Sequence, residues 1–201
     1  EFARSGTGAM VKRLHLGRAA ERDVLATSLA AAGFTGPTSV LEGEAGFLKV
    51  FCTEWDMADL TRGLGSEWDT MNLCLKAFPV HMTVHTAVQA VLELHAQHGF
   101  VGAEVARVTI AGNERMATVN NIRQPSDIMM AQYSIPFCVA LALYRDPRDP
   151  ASFDDSALAD VPIRDLSERV EIVMADPPPA GAGAAIVTIE LHVGRIFIRE
   201  V

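Results

Sequence analysis

Every stretch of this sequence that reads as a β-strand lies beyond residue 100, and that asymmetry limits the fold more than any other feature. Residues 103–110 alternate polar side chains with β-branched or small apolar ones, the period of a half-buried strand, and run into the turn signal Ala111-Gly-Asn113. Residues 169–174, 184–191 and 195–199 read the same way, the last two joined by a turn at 192–194. Ahead of residue 100 the spacing is helical. Leu14, Ala19, Ala20, Leu25, Leu29 and Ala32 predict a helix over 11–32 closed by Gly33, with Gly17 as a point where the first turn separates. The fold class that follows is α+β: a helical first part, then an α+β part with a mostly antiparallel sheet.

The remaining segments are shorter. Residues 1–10 and 176–183 are loop signals, 34–38 is a turn, 39–41 and 46–51 are brief apolar runs, and 56–64 holds a short helix. Ser126 is placed to cap a long apolar helix through Met129, Met130, Tyr133, Phe137, Leu141 and Leu143, which Pro136 must kink or split. Two short helices fill 152–167, broken at Pro162.

The chemistry concentrates in residues 73–85, where a lysine, a proline and two histidines fall close together. Pro79 pushes Phe78 out of the α region, which leaves Lys76 in a loop that enters a helix. Val84, Ala87, Val88, Val91 and Leu92 then recur at helical spacing, so the helix is expected to start near Pro79 and run to about Gly99. That start puts His81 in the first turn, where the helix dipole and the Lys76 charge disfavour the imidazolium and keep a neutral base available. A fixed cation beside a tunable histidine suits proton transfer next to a carboxylate. The bland alternative is a helix start decorated by histidines, with Lys76 solvated. His81 and His85 also have the i, i+4 spacing of metal ligands, but no HExxH glutamate accompanies them, so no metal site is expected. His95 and His98 suit the polar end of the same helix.

Composition excludes several classes. A formal charge of -8 and a pI near 5.2, with Lys12-Arg13 and Arg18 as the best basic cluster, argue against nucleic acid as a partner. No apolar run approaches the ~20 residues of a membrane span, and no segment resembles a signal peptide, so the expected location is cytoplasmic and away from membranes. Cys52, Cys74 and Cys138 are odd in number and lack CxxC spacing, which reads as reduced core cysteines.

Several segments together resemble the MmgE/PrpD family: residues 11–20, 33–37, Leu41-Glu-Gly43 with Gly46-Phe-Leu48, 75–81, Arg123-Gln-Pro125 and 131–137, in the family's order. Members include 2-methylcitrate dehydratase, cis-aconitate decarboxylase and iminodisuccinate epimerase. The resemblance implies a large helical domain and a smaller α+β lid, with residues 1–72 as the later part of the former and 73–201 as the latter. It also implies a fragment that lacks the first helical half and the closing helices, and that is inactive by itself. The family works without metal or organic cofactor, so none is expected, and the intact protein is expected to be a homodimer, or to have a companion chain supplying the missing half.

Carried over motif by motif, the family's lysines correspond to Lys12 and Lys76 and its histidine to His81, with His15 as a second-tier substrate contact. The lysines would hold a small di- or tricarboxylate and stabilise the enolate-like charge formed when an α proton leaves; His81 would be acid or base. Some members, the decarboxylase among them, carry a tyrosine where Phe137 stands, and phenylalanine has no proton to give. The implied function is a cofactor-independent lyase of the 2-methylcitrate dehydratase type. An epimerase or decarboxylase of the same family is the alternative, and a non-catalytic subunit is a third. Either a fragment or such a subunit would show a large exposed apolar face on residues 1–72.

Overall fold

The computed structural model describes residues 11–177 and 184–201, and within the first helix leaves the side chains of Lys12 and Arg13 undescribed. The loops read at 1–10 and for most of 176–183 lie outside the described residues. The described residues form two compact units, Leu14–Leu75 and a larger one built on Lys76–Val201.

Helix α1 (Val11–Ala31) is the expected one, and it runs unbroken through Gly17 because an exposed glycine weakens a helix without ending it. It closes in a Schellman motif: Gly33 takes φ +87°, its N–H donates to the Ala30 carbonyl, and the Phe34 N–H reaches back to Leu29. The run at 46–51 becomes a short helix α2 (Phe47–Phe51), and the helix expected within 56–64 is a single 3-10 turn, Met57–Leu60, capped by Asp56. Between Leu14 and Leu75, Leu48 is the one buried hydrophobic residue among those described, while Leu16, Val24, Leu25, Phe34, Phe51 and Trp68 are all exposed. Apolar side chains are therefore exposed along the described part of this stretch.

The larger unit has a proper core. Helix α3 (His85–His98) ends at Gly99 in the left-handed region, which its glycine permits, but it begins later than expected. Residues 82–84 form a 3-10 turn and His81 is extended ahead of it, because Lys76–His81 is spent on a separate turn described below. Strand β1 (Val105–Gly112) leads into α4 (Glu114–Thr118), α5 (Ile128–Tyr133) and α6 (Ile135–Ala142). The cap of α5 is Asp127, not Ser126: its carboxylate accepts from the Met130 N–H at 2.8 Å, whereas the Ser126 hydroxyl turns to the Met130 sulfur. Pro136 splits the long apolar segment as expected, sitting in the first turn of α6 behind the Ser134 cap. Helices α7 (Asp155–Ala159) and α8 (Val161–Glu168) follow; they part at Asp160, and Pro162 starts the second helix where a break had been expected.

Strands β2 (Val170–Met174), β3 (Ile186–Leu191) and β4 (Ile196–Glu200) complete a four-stranded sheet in the order β2-β1-β3-β4. β1 pairs parallel with β2 and antiparallel with β3, which pairs antiparallel with β4. The sheet is thus mostly antiparallel, and its single parallel pairing is permitted by the helical crossover from α4 to α8. The register puts Val108, Ile110, Val170, Val187, Ile189 and Phe197 on one face, all buried under the helices. No helix among the described residues is long and apolar enough to cross a membrane.

Candidate functional site

Around Pro79 the chain makes a tight turn in which the Val80 N–H donates to the Phe78 carbonyl at 2.8 Å, a γ-turn whose central φ proline supplies. Phe78 and Val80 are buried on either side and anchor it. The Lys76 ammonium folds over the turn and donates to the Val80 carbonyl at 2.8 Å. The lysine is therefore held in place by main chain, with no carboxylate to neutralise it in that bond.

His81 follows at once. Its backbone N–H donates to the Gln132 carbonyl at 2.8 Å, which ties the segment to the end of α5. Its ring packs against Tyr133 with centroids 4.7 Å apart, and Nδ1 lies 2.8 Å from the Thr83 hydroxyl. Thr83 donates to Asn120 Oδ1 at 2.7 Å, and Asn120 Nδ2 donates to the Tyr133 carbonyl at 2.7 Å. Both Thr83 and Asn120 are buried.

His85 faces another way, toward the Phe78 ring at 5.3 Å, while the Arg148 guanidinium lies 5.6 Å from the centre of the same ring. Its Nε2 is buried and has no hydrogen-bond partner among the described residues. Burial, and then the Lys76 charge, push the His85 pKa below the ordinary histidine value against a smaller opposing pull from the Val80 carbonyl. The two histidines do not form an i, i+4 pair on one helix face, because His81 stands before the helix and His85 begins it.

Lys76 and His81 thus flank the Pro79 turn, Lys76 bonded to the Val80 carbonyl and His81 tied to the end of α5. Lys12 and His15 both lie on α1, three residues apart. The Lys12 side chain is outside the described residues, and His15 is exposed. Sequence reading passed over Thr83 and Asn120. Nothing in a Val-Asn-Asn-Ile segment 37 positions downstream of Thr83 signals that its amide closes on a histidine's partner.

A cavity of about 500 Å³ opens elsewhere in the larger unit, lined among others by Arg123, Gln124, Ser126, Phe137, Asp155 and Arg164. It contains part of the Arg123-Gln-Pro125 segment, and neither Lys76 nor His81 reaches it. Arg123 and Gln124 are partly committed to Glu168, through its carbonyl at 3.3 Å and its carboxylate at 2.6 Å respectively. Phe137 is buried to 1% exposure.

Comparison with known proteins places this geometry in context. The family model for the MmgE/PrpD C-terminal domain matches residues 78–200, and that for the MmgE/PrpD N-terminal domain matches residues 2–59. Among curated proteins, a cis-aconitate decarboxylase of Aspergillus terreus is 33% identical over 98 residues, 45% of this chain and 20% of the relative. The same protein from the strain NIH 2624 / FGSC A1156 matches equally. The match thus spans about a fifth of the length of these relatives.

Proposed function

Because the chain belongs to the MmgE/PrpD family, we propose that it is part of a cofactor-independent lyase acting on a small hydroxy di- or tricarboxylate, of the 2-methylcitrate dehydratase type. Residues 1–72 would be the later part of its helical domain and 73–201 its α+β lid, and the complete protein would be a cytoplasmic homodimer. The observation that carries this reading is that one turn is flanked by an ammonium held by a main-chain carbonyl and an imidazole held by a hydroxyl. In the reaction, His81 takes the proton α to a carboxylate, the C–H electron pair becomes the new C=C bond, and the β-hydroxyl leaves as water. Lys76, with Lys12 and His15, holds the carboxylates, and the fixed lysine charges stabilise the enolate-like transition state. Lys76 suits this task because its tether is a neutral carbonyl, which leaves its full charge for the substrate.

Decarboxylation is the second reading, favoured by the Aspergillus relatives. Phe137 counts against it: position 137 offers a buried ring and no acidic hydrogen where a tyrosine was expected of a decarboxylase.

The test is proton NMR in D2O of citrate-like hydroxy acids incubated with the complete polypeptide, its first helical half included. Loss of water with deuterium exchange at the α carbon is expected, and Lys76→Met or His81→Gln should lower kcat/KM by at least ~100-fold. Carbon dioxide release without exchange would move the assignment to the decarboxylase, and no turnover of any acid by the complete protein would overturn the proposal.

A further inference from the structure

We propose that Asn120 is a positioning residue that sets the tautomer of His81, placing the ring proton on Nδ1 and leaving Nε2 as the nitrogen that takes the substrate proton. The inference rests on the reading of His81 as the acid or base, and it adds which nitrogen acts and what enforces that choice.

The direction of the relay follows from one group that can only accept. The Tyr133 main-chain carbonyl lies 2.7 Å from the Asn120 amide, so the amide must present its NH2 there, and Oδ1 is thereby turned to Thr83. Oδ1 can only accept as well, and the 2.7 Å contact therefore takes the single hydroxyl proton of Thr83. The Thr83 oxygen is left with lone pairs alone toward His81 Nδ1 at 2.8 Å. An unprotonated Nδ1 would set lone pair against lone pair at that distance, so Nδ1 carries the hydrogen and donates it.

Burial makes the relay hard to reverse. Asn120 is 0% exposed and Thr83 8%, so turning the amide over would set Oδ1 against the Tyr133 carbonyl, two buried acceptors with no donor between them. The frame around the relay is also pinned. The Asn120 carbonyl accepts from the Ile135 N–H at 2.9 Å, and the His81 N–H binds the Gln132 carbonyl, so Asn120, the end of α5 and the His81 turn hold one another in place. Asn120 touches no reacting atom in this scheme and acts through Thr83 and the imidazole.

The experiment is long-range 1H–15N correlation NMR on the 201-residue chain with 15N-labelled histidine, assigned through His81→Gln, on wild type, Asn120→Leu, Thr83→Val and Thr83→Ser. Wild type should show the Nδ1–H pattern at pH above the histidine range. Thr83→Ser should keep it, and Thr83→Val and Asn120→Leu should move His81 toward the Nε2–H form that imidazoles prefer in water. Far-UV circular dichroism checks that each variant is folded, and Thr83→Val, nearly isosteric, keeps the test open if Asn120→Leu fails to fold. An Nε2–H wild type, or an Nδ1–H pattern unchanged in Thr83→Val, overturns the proposal. In the complete enzyme, Thr83→Val should lower kcat by at least ~10-fold with KM little changed, as wrong-tautomer lesions do. An Nδ1–H spectrum lost in Thr83→Val, together with full turnover by His81→Gln, would support the relay while refuting the role of His81.

Discussion

Ile110 lies on β1, one of two strands with hydrogen-bonded neighbours on both sides, where it pairs across with Ile172 and Val187 and is 0% exposed. Ile110→Ala removes three carbons. At about 0.8 kcal/mol per buried methylene the transfer loss is about 2.4 kcal/mol. Strands fixed on both flanks cannot collapse into the hole, and the cavity left behind raises the total to about 3–5 kcal/mol. Leu25 on α1 makes the contrast: it is 57% exposed, so Leu25→Ala should cost less than about 1 kcal/mol in this chain. Urea unfolding followed by far-UV circular dichroism reads both. With m near ~2 kcal/mol/M, Ile110→Ala should lower the midpoint by about 1.5–2.5 M at unchanged m, and Leu25→Ala by under about 0.5 M. Equal losses from the two variants, or an Ile110→Ala loss below about 1 kcal/mol, would refute the division into a cored unit and an exposed apolar stretch.

The depressed pKa of His85 has a definite sign. Because the fold disfavours its imidazolium, the unfolded chain binds the proton first; stability should fall as pH drops below about 6.5 toward the folded value, and be unaffected above about pH 7. His85→Gln should flatten that limb of a urea-midpoint profile against pH, and an unchanged slope would show the shift to be absent. Ser134 is fully buried, caps α6 by accepting from the Phe137 N–H at 2.9 Å, and donates to the Ile122 carbonyl. Ser134→Ala therefore loses a cap and strands a carbonyl, and should cost about 1–3 kcal/mol by the same assay; a cost under about 0.5 kcal/mol would show that neither bond matters.

Apolar residues of Leu14–Leu75 are mostly exposed while those of the larger unit form its core, a difference that hydrophobicity by itself does not announce. The helix over 11–31, its glycine stop, the four strands and the split at Pro136 were legible because each follows from a local period or a backbone restriction. The delayed start of α3 was not. Its apolar period continues back to Val84, but the proline spends residues 78–80 on a γ-turn that the Lys76 ammonium then closes. The choice of Asp127 over Ser126 as a cap turned on one residue of register, which propensity cannot resolve because both types cap well.

For the candidate site, sequence by itself determined the presence of a lysine and a histidine five residues apart across a proline, and their likeness to a family motif. It also determined the formal net charge of -8. Only the tertiary structure decided which way that histidine is held. Thr83 and Asn120 meet across 37 residues, and the orientation of their hydrogen bonds descends from a main-chain carbonyl on α5 whose position no local pattern encodes. A side chain's identity is written in the chain, but the direction of a buried hydrogen bond is set by whichever acceptor the fold brings to its far end.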